Sequence, residues 1–199
     1  YHYFHPDVDA VAQANFFLAH VAHFGAGELP PVIDVETGTD MNQIGAGVSA
    51  WIDTVTAATG RRPLVYVSSG FWRVPASYGI EGKADLWVAQ YPNAQPPSGG
   101  PWCPNVTGAW TTWKFWQHWD KGAVPGVQGA CDVDVFNGSS GELRSYAGQG
   151  MSSIVAAPAT AFRSIEARIA ALPKYVKYGA LAGMAVLLGL VSYAVFAED

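Results

Sequence analysis

Leu29-Pro30-Pro31-Val32-Ile33-Asp34-Val35-Glu36 is the stretch on which the fold turns. The two prolines stop any preceding helix, and the run they introduce is apolar apart from two acids. A strand alternates its side chains, so Asp34 and Glu36 share one face while Ile33 and Val35 pack on the other. The two carboxyls lie ~7 Å apart along such a strand, where each perturbs the other's ionisation and one can stay protonated near neutral pH. For an arbitrary DxE the ordinary reading is a solvated strand end before a turn. Here the strand is otherwise apolar, and burying two acids without a role is costly.

Helix-spaced apolar residues lie on both sides of that strand. Val11, Ala14, Leu18 and Val21 predict an amphipathic helix over about 9–24. Met41, Ile44, Val48, Trp51, Ile52 and Val55 predict a second over about 41–58, with Thr39 or Asp40 as its cap. Tyr1–His5 reads as a strand, and further strands follow at Leu64–Ser68, Leu86–Gln90, Trp113–His118 and Asp132–Phe136. The early alternation of strand and helix implies α/β architecture with a parallel sheet under covering helices. A Pro/Gly-rich loop around 92–108 and a turn around 121–130 break that rhythm later in the chain.

Composition narrows the function. Half of the 199 residues are apolar and 14% are charged, against about 25% in a typical soluble domain. Net charge is −5, and the longest basic run is the pair Arg61–Arg62, which argues against a nucleic-acid partner held by clustered cations. The eight Trp and nine Tyr are core material first, and flat surfaces for sugar rings second. Cys103 and Cys131 make no CxxC pair and no metal pattern with histidine; they are either one disulfide or two thiols. His20 and His23 have helical spacing, but no neighbouring acid or cysteine completes a metal set, so neither metal nor cofactor is expected. His2 and His118 sit on strands, lining a groove or satisfying core hydrogen bonds.

Beyond Asn137 the character changes. Gly138–Gly150 reads as a small polar linker, and residues 152–172 as an Ala-rich amphipathic helix charged only at Arg163, Glu166 and Arg168. Gly179–Ala197 is a 19-residue stretch without a charge, a transmembrane helix candidate of roughly 28 Å. Tyr175 and Tyr178 stand at one end as interfacial anchors, and Gly179 and Gly183 give a GxxxG spacing. Lys174 and Lys177 precede the run and Glu198 and Asp199 follow it, which places the preceding domain on the cytoplasmic side.

Several segments, taken in order, resemble those of glycoside hydrolase family 25 lysozymes. Leu29–Glu36 resembles the strand that ends in the family's catalytic DxE, and Tyr1-His2-Tyr3-Phe4 its YHF strand. Pro63-Leu64-Val65-Tyr66-Val67-Ser68 is similar to the next barrel strand, and Leu86-Trp87-Val88-Ala89-Gln90-Tyr91 to the LWxAxY segment. Phe115-Trp116-Gln117 and Val124-Pro125-Gly126-Val127 lead into Cys131–Gly138 much as the family's WQ…VPG…VDxNxF does. The resemblance implies an irregular TIM-like (β/α) barrel over residues 1–138, followed by a linker and helix at 139–172 and a membrane anchor at 173–199.

It also implies roles. Glu36 would be the general acid, and Asp34 would steady the acetamido group or the charge developing at the anomeric carbon. Asp132 matches the family's late active-site aspartate, with Asp134 on the same strand face as runner-up. Tyr3, Tyr66, Trp87, Gln117 and Asp134 fall where substrate is bound, although Trp87 equally suits a core position. The family's first strand carries a further aspartate in a DVS-like segment, and that segment and the strand after it have no counterpart before Tyr1. The expectation is therefore a barrel lacking its first two strands, whose missing part exists upstream, comes from another polypeptide, or is lost; the first is favoured.

The implied activity is hydrolysis of the β-1,4 bond between N-acetylmuramic acid and N-acetylglucosamine, without metal or cofactor. The implied partners are peptidoglycan glycan strands, a lipid membrane through residues 179–197, and other virion or envelope proteins. A phage origin reconciles a cytoplasmic-side domain with a wall substrate. The alternative is a non-catalytic wall-binding or virion structural membrane protein that keeps the barrel; a third is a glycosidase for chitin-like polymers.

Overall fold

The computed structural model describes residues 1–21, 27–91, 103–148 and 193–194. Strand β1 (His2–Tyr3) leads into helix α1 (Ala10–His20), strand β2 (Val32–Asp34), helix α2 (Met41–Thr59) and strand β3 (Leu64–Ser68). A 3-10 turn at Ala76–Tyr78 and a short helix α3 (Ile80–Lys83) precede β4 (Asp85–Ala89). Then come β5 (Phe115–Gly122), β6 (Cys131–Phe136), helix α4 (Ser140–Gly148) and a two-residue strand β7 (Tyr193–Ala194). All strands join one sheet in chain order. Each neighbouring pair from β1 to β5 is parallel, β6 returns antiparallel to β5, and β7 runs parallel to β6.

The helices begin where acids can cap them. Asp9 accepts a 2.7 Å bond from the Ala12 N–H, and Asp40 accepts from the Asn42 and Gln43 N–H groups, satisfying donors that an open helix end leaves exposed. Helix α2 stops at Gly60, whose φ of +66° is the left-handed turn that glycine adopts without a Cβ penalty. Its stripe of Ile44, Val48, Trp51, Ile52 and Val55 is fully buried. That stripe packs with Phe17 of α1 on Ile33, Val35, Val65, Val67, Leu86 and Val88 from one face of the sheet. Each such side chain contributes about 1.5–3 kcal/mol relative to exposure. The approach is close: a Cβ at Gly47 would lie 2.6 Å from Cζ of Phe4.

The opposite face carries a smaller cluster of Val32, Leu64, Phe115 and Phe136, with Tyr66, Trp87, Leu143 and Tyr146 against it. Two of these come from α4, and this corrects the reading of 138–150 as a plain polar linker. Ser139 and Glu142 form a reciprocal cap, with the Ser139 N–H donating to Oε2 of Glu142 at 2.7 Å and the Glu142 N–H to Oγ of Ser139 at 3.3 Å. Buried Arg61 ties the helix down, donating to the carbonyls of Glu28 and Tyr146, while the Tyr146 hydroxyl donates to Oδ2 of Asp85.

The helix expected at 152–172 lies outside the described residues. So does the anchor expected at 179–197, apart from Tyr193–Ala194, which pair with Val133 and Asp134 as strand rather than helix. Among the described residues no helix is long and apolar enough to cross a membrane.

Candidate active site

Strand register lines up the residues that the sequence singled out. Tyr3, Asp34, Tyr66, Trp87, Phe115 and Phe136 are successive partners across β1 to β6. One side-chain step further along lie Ser68, Ala89, Gln117 and Asp134, again successive partners. Glu36 follows Asp34 by two residues and so returns to the same face at the C-terminal end of β2. Because β6 runs backwards, its early residues Asp132 and Asp134 meet the ends of the parallel strands. Ser68 and Ala89 are small, and they neighbour the rings of Tyr66 and Trp87 on the same face of the sheet. Those rings meet edge to face, with centroids 5.6 Å apart.

Hydrogen bonds hold this face. The Trp87 indole N–H donates to Oδ1 of Asp134 at 2.7 Å. Trp87 is therefore tied to the site as well as packed on Phe115. Oε1 of Gln117 accepts the Tyr66 hydroxyl at 2.7 Å and the Tyr91 hydroxyl at 2.5 Å. Two buried carboxylate oxygens, Oδ1 of Asp34 and Oδ2 of Asp134, have no partner among the described residues.

Such crowding raises every acid here. Burial, then the neighbouring Glu36, pushes Asp34 up to about 8. Glu36 rises through burial and the charge of Asp132, opposed by the Tyr66 hydroxyl. Asp132 rises through burial and Asp120. Asp134 rises to about 6 by burial, with the Trp87 indole pulling the other way and Asp132 adding to the rise. Among the described residues no lysine or arginine acts on these four acids. The arrangement suits protonating an oxygen and stabilising positive charge near it.

The structure thus brings Tyr3, Asp34, Glu36, Tyr66, Trp87, Gln117, Asp132 and Asp134 together, and separates the two late aspartates by exposure. Asp134 is 3% exposed and pinned by Trp87, whereas Asp132 is half-buried and acts on Glu36. Tyr3 lies beside Asp34 in register and stacks at an angle on His5. Two residues of the face were not anticipated, Tyr91 and Asp120. Tyr91 continues the alternation of Trp87 and Ala89, a signal present in the sequence. Asp120 lies beyond register shifts in β5, which break the alternation that would reveal it. Among the described residues no group of three His, Cys, Asp or Glu is placed to hold a metal ion. Cys103 is exposed, Cys131 is buried, and both are free thiols.

Residues 1–127 match the profile of glycosyl hydrolases family 25, and the chain belongs to that family. YegX of Escherichia coli K12 is 35% identical over 148 residues, covering 73% of this chain and 50% of YegX. Lysozyme M1 of Streptomyces globisporus is 28% identical over 160 residues, covering 74% of this chain and 52% of the lysozyme. The chain spans about half the length of these curated relatives. Among solved structures, a bacterial lysozyme from Streptomyces coelicolor superposes with a TM-score of 0.59 at 25% identity, covering 72% of this chain and 68% of that one. The α/β fold with its mostly parallel central sheet is that of these lysozymes.

Proposed function

We propose that this chain is the catalytic part of a muramidase that hydrolyses the β-1,4 bond between N-acetylmuramic acid and N-acetylglucosamine in peptidoglycan. The observation that carries this reading is the gathering of Asp34, Glu36 and Asp132 over an aromatic floor at the ends of parallel strands. Family membership and the lysozyme and muramidase names of its relatives support it. In this mechanism the carboxyl of Glu36 gives its proton to the glycosidic oxygen as the bond from that oxygen to the anomeric carbon breaks. Asp34 and Asp132 steady the acetamido group and the positive charge that develops at the anomeric carbon. Water then adds there and returns a proton to Glu36. Tyr3, Tyr66, Trp87, Gln117 and Asp134 hold the sugar rings.

The experiment is to compare the protein with its Glu36→Gln variant on purified cell walls. Loss of at least a hundredfold in clearing rate is expected, the range over which a positioned acid contributes. Equal clearing by both proteins would falsify the enzyme reading and leave a wall-binding protein. The proposed setting is a phage-encoded enzyme fixed to a membrane through 179–197. The uncharged run there supports it, and recovery of full-length protein solely in the soluble fraction of expressing cells would overturn it.

A further inference from the structure

Gln117 is 5% exposed, and its side-chain oxygen is the meeting point of two phenol hydroxyls from different segments. Each phenol has one O–H hydrogen; both hydroxyls lie within bonding distance of Oε1 of Gln117, and that of Tyr66 is also shared with the Glu36 carboxyl and with Tyr91. With Oε1 on the side of these two hydroxyls, Nε2 is turned to the other side of the amide. Burial raises both tyrosines above their ordinary range, so they remain donors at any working pH.

The consequence lies at the other end of the amide. Nε2 of Gln117 has no hydrogen-bond partner among the described residues, and it is not among the buried unpartnered atoms. Nε2 therefore keeps some access to solvent, with two N–H groups to offer a ligand. Most of the other polar groups of the site are already bonded or are acceptors. The Trp87 N–H is taken by Asp134, the two phenols are engaged with Gln117, Glu36 and each other, and Glu36, Asp132 and Asp134 are acceptors when ionised. Beside the Tyr3 hydroxyl and the protons held on Asp34 and Glu36, the Gln117 amide is the donor left for a ligand among the described residues. A sugar hydroxyl can satisfy a carboxylate, but an acetamido carbonyl can only accept.

We propose that Gln117 binds the acetamido carbonyl oxygen of an N-acetylated sugar through Nε2, and that Tyr66 and Tyr91 are positioning residues that lock its amide for this purpose. The proposal rests on the glycan-binding reading above and adds what selects the N-acetyl group. A site built to donate to a carbonyl discriminates against sugars that lack one, because its buried donor is then left unpaired.

The test measures affinity, not cleavage, by titrating tryptophan fluorescence of the full chain with tri-N-acetylchitotriose and with cellotriose, a neutral sugar bearing hydroxyls in place of acetamido groups. Wild type should prefer the N-acetylated sugar, and Gln117→Glu should lower its affinity for that sugar by about tenfold while leaving cellotriose binding within about twofold. Gln117→Met, which removes the donor without adding charge, should do the same. Tyr91→Phe should weaken binding several-fold in the wild-type background and have no effect in combination with Gln117→Met, since a residue acting only through another is silent without it. Equal losses for both sugars would mean that the bonded group is a hydroxyl, and would overturn the acetamido assignment. An additive Tyr91→Phe effect would overturn the lock, and absence of sugar preference in wild type would overturn the whole proposal. Wall clearing by wild type beside a failed sugar preference would leave the enzymatic reading standing without it.

Discussion

Replacing Asp34 with asparagine should flatten the dependence of folding stability on pH. The carboxyl has an ordinary pKa of 3.8 and stands at about 8 in the folded chain. Between those values the native state holds a proton that the unfolded state has released. Stability then falls as pH rises, by about 1.36 kcal/mol per pH unit for one such group. From pH 5 to pH 7 the full effect is about 2.7 kcal/mol, and the partial solvent access of Asp34 reduces it to about 1–2 kcal/mol. Below pH 3.8 both states are protonated and the contribution is complete. The substituted amide cannot ionise, so urea melts followed by tryptophan fluorescence at pH 4, 5, 6 and 7 should show a shallower slope for the variant. The absolute offset is uninformative, because asparagine brings its own unpaired amide. Parallel stability curves for the two proteins from pH 5 to 7 would refute the claim that a buried proton on Asp34 is part of the native state.

Two further outcomes follow from the same face. Clearing of cell walls should fall as pH rises through about 8, where the Asp34–Glu36 pair loses its last proton, and Asp34→Asn should move that limb to lower pH; a profile flat well beyond pH 9 would contradict it. Trp87→Phe removes the N–H that Asp134 accepts and should cost about 1–3 kcal/mol at pH 7. Because the variant's Asp134 should titrate above about 6, the cost should shrink at pH 4, where that carboxyl is neutral; thermal melts at both pH values that show the same loss would exclude Asp134 as the cause.

Much of this is legible in the chain because strand parity is a rigid rule. Asp34 and Glu36 have to share a face, and so do Tyr66 with Ser68 and Trp87 with Ala89, so the ordered matches carry the site with them. Parity fails where β5 shifts register between Gln117 and Gly122, and Asp120 is lost there. Helix α4 escapes for another reason: the Gly and Ser content of 138–150 outweighs its helical cues. Yet Leu143, Tyr146 and Ala147 stand at helical spacing, and Ser139 with Glu142 is a capping box. Neither the shared acceptor on Gln117 nor the capture of Asp134 by Trp87 can be read from the sequence. Both join residues dozens of positions apart through side-chain geometry that register alone does not set.

The same crowding that costs stability is what fits these acids to glycoside hydrolysis. With Asp34, Glu36, Asp132 and Asp134 on one face and no lysine or arginine among the described residues acting on them, each carboxyl is held towards its neutral form. In the proposed mechanism, that favours a proton on Glu36, the more exposed of the DxE pair, for transfer to a leaving oxygen. When the proton is transferred, the site gains a carboxylate as the sugar gains positive charge at the anomeric carbon. The neighbouring carboxylates that add to the opposition from burial, Asp132 beside Glu36 and Glu36 beside Asp34, then have a cation to act on. Under that mechanism, the field of charges already in place in the folded chain would stabilise the cation with little reorganisation during the step. A neutral, well-solvated pair would fold more stably and would have neither the retained proton nor the field.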